Sequence, residues 1–290
     1  MKQYIENDYL KLECSSEGAE IKSLIFKASG REAIWQADPD YWARYAPVLF
    51  PMVGKAINNT IICEGKSFPL MQHGFARDRV FEIISISEGM LHYRLTSDYE
   101  THKFYPYDFE LDINYQLNEK KVEITYQVTN TGDNLLYFSI GAHPGFALDI
   151  PPDTFDDYSL VFQNIESVPQ YYLKHGYIAG ELKFSLLHNT NVIQLTPHLF
   201  DNDALIFQGI TSEYVSLNHR HLGEILRLNA KNFPYMGIWA KPGAPFVCIE
   251  PWYGIADFAN NQVPFEQKAG IQHLKAKETF KCHYSIEIFQ

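Results

Sequence analysis

The chain has 290 residues, 46% hydrophobic and 20% charged, the balance of a folded globular protein and long enough for one large domain or two small ones. Its formal net charge of -11 excludes the basic face that a nucleic-acid partner requires. No apolar run reaches the roughly 18 residues of a transmembrane helix, and the opening MKQYIENDYLKLEC carries acids where a signal peptide needs an apolar core, so the expectation is a cytoplasmic protein with no membrane partner.

Aromatic residues reach 15%, which favours strands. Strand signals then run the length of the chain. Residues 9–14 (YLKLEC) and 19–26 (AEIKSLIF) come first, residues 38–42 are compatible with a short helix, and 80–87 and 91–97 read as further strands. Residues 109–117 (FELDINYQL) are followed by 122–128 (VEITYQV), where Val122, Ile124, Tyr126 and Val128 alternate with Glu123, Thr125 and Gln127. That period of two is the signature of a half-buried antiparallel strand. The turn-forming TNTGDN (129–134) and LLYFSIG (135–141) then predict a β-hairpin with 122–128. Strands follow at 212–218, 224–230, 236–240, 246–252 and 283–289, and 260–274 has helical character. No repeat, linker or break in composition appears, so the expected architecture is one all-β domain spanning 1–290, two antiparallel sheets stacked face to face. Four scattered cysteines without a CxxC pair suit reduced thiols.

Three segments place a titratable side chain at the end of a predicted strand beside Gly or Pro: QHGFARD (72–78) with His73, GAHPGFAL (141–148) with His143, and CIEPWYGIAD (248–257) with Glu250. Strand ends on a rigid sheet commonly hold active groups, and two imidazoles with one carboxylate are an acid/base set. Each histidine taken singly also suits a structural turn. The same trio matches a facial metal triad, and NHRHLGE (218–224) offers His219, His221 and Glu224 as a loosely cupin-like set, with a solvated hairpin turn as its plainer reading. No P-loop, dinucleotide-binding glycine fingerprint, HExxH or nucleophile elbow is present.

On APVLFPMVGKAINN (46–59), GK-x-F-x-L-x-x-HGFARD (65–78), GAHPGFAL (141–148), LFDNDALIF (199–207), FPYMGIWAKPG (233–243) and CIEPWYGIAD (248–257), taken in order, the sequence resembles the aldose 1-epimerase (galactose mutarotase) family, and within it the LacX-like branch. The resemblance covers nearly the whole chain. It implies a large β-sandwich of the galactose-mutarotase type with a sugar cleft on one sheet, no metal or organic cofactor, and interconversion of the α and β anomers of an aldose. It also implies that Glu250 is the general base, that His143 is the acid that protonates the ring oxygen, that His73 is the second histidine polarising that oxygen, and that Asp203 binds sugar hydroxyls. Where galactose mutarotases carry G-R-x-x-N-R, residues 54–59 read G-K-A-I-N-N. A cationic contact then falls to Lys55, Arg77 or Arg44, and the HGFAR run is similar to that of hexose-6-phosphate mutarotases, so the implied partner is a monosaccharide or a sugar phosphate. A non-catalytic sugar-binding or sensing module on the same sandwich is the alternative.

Anomer exchange needs a base at the C1 hydroxyl and an acid at the ring oxygen, so the expected productive state has Glu250 ionised and His143 protonated. If the two share a cleft, each charge favours the other, lowering the carboxyl and raising the imidazole. Trp239, Trp252 and Phe75 are candidates to stack on the sugar, with packing in the sandwich core as their other reading.

Overall fold

The computed structural model of the chain describes residues 1–149, 152–181 and 185–290. Lys121–Asn130 shows why the chain builds sheets. Its burial alternates residue by residue, with Val122, Ile124, Tyr126 and Val128 inward. Burying each such side chain contributes about 1.5–3 kcal/mol, and a slip by one residue would turn all four to solvent. The register is held on both edges, with Val122 opposite Leu117 on one side and Ile286 on the other.

Two large antiparallel sheets result. The nine-stranded sheet runs His188–Gln194, Tyr158–Ser167, Tyr214–His219, Gly223–Asn229, Thr279–Ile288, Lys121–Asn130, Phe109–Asn118, Met90–Thr96 and Glu82–Ser87. The eight-stranded sheet runs Tyr177–Glu181, Gln170–Lys174, Leu205–Gln208, Tyr235–Trp239, Phe246–Tyr253, Ile140–Ala142 and Val48–Leu49, with Gly145–Ala147 also paired to Phe246–Tyr253. Their facing sides share one apolar core, with ring contacts between the sheets at Phe162–Phe207 (6.5 Å) and Tyr253–Phe280 (5.1 Å). The predicted β-sandwich is therefore the observed fold. A four-stranded sheet from Lys2–Glu6 to Arg31–Glu32 and two two-stranded ribbons complete the described residues, whose only helices are five single 3-10 turns. No helix among them is long and apolar enough to cross a membrane.

Three local expectations fail for identifiable reasons. The hairpin between 122–128 and 135–141 does not form, because both edges of Lys121–Asn130 are occupied by Phe109–Asn118 and Thr279–Ile288. Asn130 turns the chain out of the sheet instead. Its side chain accepts from Gly132 N (3.0 Å) and donates to Asn134 O (2.7 Å) and Leu274 O (3.0 Å). Leu136–Phe138 then pairs with Gln272–Leu274, and Ile140–Ala142 enters the eight-stranded sheet. Residues 260–274 hold only the 3-10 turn Phe265–Gln267 and the strand Gln272–Leu274. There the amides of Gln267, Lys268 and Ile271 reach back three residues rather than four, and Lys268 is drawn inward to a buried ion pair with Asp257. Residues 38–42 form a single turn on Asp38 O and no helix.

Candidate active site

A cavity of about 230 Å³ opens on the eight-stranded sheet, with His73, His143, Glu250, Asp203 and Arg77 in its lining. Residues far apart in sequence thus meet because strand ends and turns deliver them to one face.

Glu250 lies within Phe246–Tyr253, opposite Gly237 of the adjacent strand. The missing side chain at Gly237 matters: a Cβ there would lie 2.5 Å from the Trp252 ring, so glycine lets that indole lie across the neighbouring strand as a wall of the cavity. His143 occupies the break between Ile140–Ala142 and Gly145–Ala147. Its ring stacks on Trp42 (4.8 Å, 28°) and meets Trp239 edge-on (5.8 Å, 85°). His143 Nε2 lies 3.2 Å from Glu250 Oε2. His73 stands 5.7 Å from His143 between ring centroids. Its own φ is +67°, and Gly74 follows at +71°. A Cβ on Gly74 would lie 2.2 Å from Phe50 O, so the His-Gly order is dictated by this tight turn.

Two backbone contacts orient His73: its amide donates to Gly54 O (2.8 Å), and Gly54 N–H donates to its Nδ1 (3.2 Å). An amide nitrogen only donates, so Nδ1 accepts and the neutral ring carries its proton on Nε2. The Gln72 carboxamide, 3.2 Å away, meets that proton when turned to present its oxygen. The Gly54 strap is braced from behind. Asp257 accepts from Ile57 N (2.9 Å), donates its own amide to Lys55 O (3.0 Å) and pairs with Lys268 in the interior.

The electrostatics invert the expectation from sequence. Burial, with the nearby charge of Asp203 second, holds the Glu250 carboxyl well above its ordinary range, and the Trp252 indole N–H beside it opposes the rise without completing a hydrogen bond. Burial, with Arg77 second, lowers His143 to about 3. Burial, then His143 and Arg77, puts His73 well below the usual imidazole value. At 3.2 Å the Glu250–His143 pair does attract as an ion pair, but stripping both groups of water costs more than that attraction returns. Burial therefore favours the neutral pair, Glu250 protonated beside an uncharged His143, over the ion pair. Four buried polar atoms of lining residues lack hydrogen-bond partners: Arg77 Nε, His143 Nδ1, Glu250 Oε2 and Trp252 Nε1. Such atoms are rare in folded proteins and point to a polar ligand.

The other candidates divide. Asp203 lines the cavity at φ +76°, its Oδ1 accepting from Ala204 N (2.8 Å). Of the three cations only Arg77 lines it. Arg44 pairs with Asp78 (2.9 Å) in an adjoining cavity that Arg77 also borders. Lys55 reaches His175 O (3.5 Å) and the Tyr177 ring (4.9 Å). Trp239 and Trp252 line the cavity, whereas Phe75 packs among Phe50, Tyr105 and Phe109 in the core. Trp42, which belongs to no motif, and Gln72, which opens the QHGFARD run, line it too.

The cupin-like set does not assemble. His219 is buried beside Asp153, with Nδ1 accepting from the amides of His221 (3.3 Å) and Leu222 (3.2 Å), while Glu224 is engaged by Ser216 and by Arg227 (2.9 Å to each oxygen). Residues 218–224 are the turn of a hairpin between Tyr214–His219 and Gly223–Asn229, but His219 is not solvated. Among the described residues the one group with metal-ligand proximity is His143, Cys248 and Glu250, their donor atoms within 4.8 Å of one another. Burial, then Glu250, raises the Cys248 thiol well above its ordinary range, which opposes the deprotonation that a metal demands.

Residues 1–286 match the sequence profile of the family described as aldose 1-epimerase. The plasmid and chromosomal LacX proteins of Lactococcus lactis subsp. lactis are each 31% identical over 295 residues, covering 98% of this chain and 98% of theirs. The structure of a galactose mutarotase related enzyme from Lactobacillus acidophilus superposes with a TM-score of 0.95 at 33% identity, covering 100% of this chain and 98% of that one. A galactose mutarotase-like protein from Lactobacillus casei ATCC 334 superposes at 0.93 with 29% identity, both chains being covered completely.

Proposed function

Because the chain belongs to the aldose 1-epimerase family, we propose that it interconverts the α and β anomers of an aldose at the His143–Glu250 pair. The observation that carries the proposal is one carboxyl and one imidazole 3.2 Å apart, in a cavity also lined by His73 and Asp203. In ring opening, Glu250 takes the proton of the C1 hydroxyl while His143 gives one to the ring oxygen. The C1–O5 bond breaks, the C1–C2 bond rotates, and closure on the other carbonyl face returns both protons. His73, held as its Nε2–H tautomer, donates toward the ring oxygen as it gains charge, the sugar taking the place of the Gln72 carboxamide as acceptor. Glu250 with His143 in the neutral form holds the same number of protons as the ionised pair. Sugar hydroxyls that satisfy the unpartnered atoms restore the solvation lost to burial and let the proton cross to His143. Neither metal nor covalent intermediate enters this scheme.

The test is two-dimensional exchange NMR of glucose and galactose, with the spontaneous rate subtracted. Protein-catalysed cross-peaks between anomers support the reading. Binding by calorimetry with no added exchange overturns it in favour of a sensing module.

A second reading gives the sugar a phosphate. Arg77 and Arg44 border one cavity beside the cleft and both face Asp78, at 3.8 and 2.9 Å. Burial, then the neighbouring Arg44, lower Arg77 to about 10 against the opposing charges of Asp78 and Glu20, and a phosphate would compete with Asp78 for both guanidinium groups. On that reading Arg77→Gln weakens a hexose 6-phosphate far more than the free hexose; equal losses remove it.

A further inference from the structure

Asp257 closes the CIEPWYGIAD run but does not line the cavity; its neighbour Ala256 does. Its carboxylate is buried, and so is the Lys268 ammonium that pairs with it. A buried ion pair is weak evidence for stability, because apolar side chains of similar volume commonly serve a fold as well. What this pair holds is the strap that carries Gly54. The Asp257 carboxylate accepts from Ile57 N (2.9 Å), and the Asp257 amide donates to Lys55 O (3.0 Å). Its carbonyl accepts from Ile178 N (2.8 Å), which ties the same residue to the edge strand Tyr177–Glu181. Gly54 lies directly on the preceding residue, since a Cβ there would stand 2.5 Å from Ala256 N. Contact with Ala256 stops the strap moving inward, and the Asp257 hydrogen bonds stop it moving away.

The strap passes its position to His73. Gly54 O accepts from the His73 amide (2.8 Å), and Gly54 N–H donates to His73 Nδ1 (3.2 Å). The second contact is at the long end of the ordinary range, so a shift of a few tenths of an ångström breaks it. An imidazole released from it is free to turn about its side-chain bonds or to carry its proton on Nδ1. In either case Nε2–H no longer faces the sugar's ring oxygen. Misplacing a reacting group by about 1 Å can cost about 10²-fold in rate.

We infer that Asp257, clamped by Lys268, is a positioning residue that acts through the Gly54–Ile57 strap to hold the His73 imidazole with Nε2–H toward the cleft. Its effect on rate rests on the anomerising reading above; the state of the imidazole does not.

The test compares wild type with three variants. Asp257→Ala with Lys268→Met removes the brace and both charges together. Asp257→Asn with Lys268→Gln keeps a neutral acceptor for Ile57 N and a hydrogen bond between the two side chains. Ile57→Pro leaves the ion pair in place and removes the donor alone, at the first residue of a 3-10 turn behind extended Ala56, where proline fits. Thermal melts, nitrogen-15 NMR of the His73 ring and the Gly54 amide, and anomer-exchange kinetics are read for each. Wild type should show the Nε2–H tautomer and a Gly54 amide protected from solvent exchange. The Ala/Met variant and Ile57→Pro should lose that protection, shift the His73 Nδ1 resonance and lower kcat about tenfold or more, with KM little changed. The Asn/Gln variant should keep both the NMR signature and kcat. In a His73→Gln background the Ala/Met change should cost no further rate. An unchanged His73 ring in folded Ala/Met protein overturns the inference, as does an equal kcat loss in the His73→Gln background. Ile57→Pro decides the inference by the same NMR reading if the Ala/Met variant does not fold. A wild type without catalysed exchange overturns the anomerising reading, while the His73 and Gly54 resonances still decide whether Asp257 positions the ring.

Discussion

Two buried carboxylates, one in each large sheet, have opposite surroundings. Asp112, 2% exposed in the nine-stranded sheet, accepts from Arg94 Nε (2.8 Å), Arg94 Nη2 (3.1 Å) and the His92 ring (2.5 Å). Glu250, 1% exposed in the eight-stranded sheet, has an oxygen with no hydrogen-bond partner and an imidazole 3.2 Å away that is itself lowered by burial. Glu166 repeats the pattern of Asp112, held by the amides and hydroxyls of Thr211 and Ser212. Burial alone therefore does not separate the two; incomplete partnership inside the cleft does, and on the proposed reading it is what makes Glu250 the reactive group. A satisfied carboxylate holds the sheet together, and an unsatisfied one is held ready for a ligand.

The largest expected effect breaks the comparison directly. Glu250→Gln should lower catalysed anomer exchange by about 10²–10⁴-fold and leave stability equal or higher. Asp112→Asn should cost about 1–3 kcal/mol in urea melts and leave the exchange rate per folded molecule unchanged. If the two variants exchange these phenotypes, the distinction drawn from partnership is wrong.

Stability against pH sharpens the same contrast. With His143 lowered to about 3, an unfolded chain binds a proton below the ordinary 6.5 that the folded chain refuses. That contribution is lost as pH falls from 6.5 toward 3, by about 1.4 kcal/mol per unit, and His73 acts in the same direction. Glu250 acts oppositely: raised above 4.5, its contribution is full below that value and is lost as pH rises toward its folded value. Between 4.5 and 6.5 the Glu250 and His143 slopes oppose each other. Removing the carboxyl in Glu250→Gln should therefore make the variant gain on wild type from pH 4.5 upward, by about 1.4 kcal/mol per unit until the folded value is passed. A difference between the two proteins that stays flat with pH contradicts the raised carboxyl.

A smaller effect probes the Trp42 face of His143. Trp42→Ala admits water to the imidazole now stacked under the indole at 4.8 Å. The ring should then titrate nearer 6.5 than 3 in carbon-13 NMR, while Trp42→Phe stays close to wild type. An unmoved titration in Trp42→Ala removes the indole as the shield.

The sequence carried the sheets more fully than their pairing. Alternation at 122–128 identifies a strand whatever its neighbours, but the failed hairpin with 135–141 depended on which edges were already occupied, and local pattern holds no record of that. His73, His143 and Glu250 were legible as chemistry-bearing strand ends, and the family resemblance assigned them to one cleft; periodicity alone has no means of joining residues so distant in the chain. Trp42 was illegible because it enters from a turn without a motif. Lys55 was a reasonable cation by spacing, yet its side chain turns to His175 and Tyr177. The inverted ionisation of the central pair followed from burial, which depends on both sheets and the Trp42 turn closing over it together.

The most direct measurement is a double-mutant cycle on that pair: catalysed anomer exchange by wild type, His143→Gln, Glu250→Gln and the double variant. Two groups that move protons as one unit should each cost nearly as much alone as together, so the double variant should be about as slow as either single one. Losses that multiply, or a wild type that adds nothing to the spontaneous rate, would contradict a proton-sharing pair at the centre of this cleft.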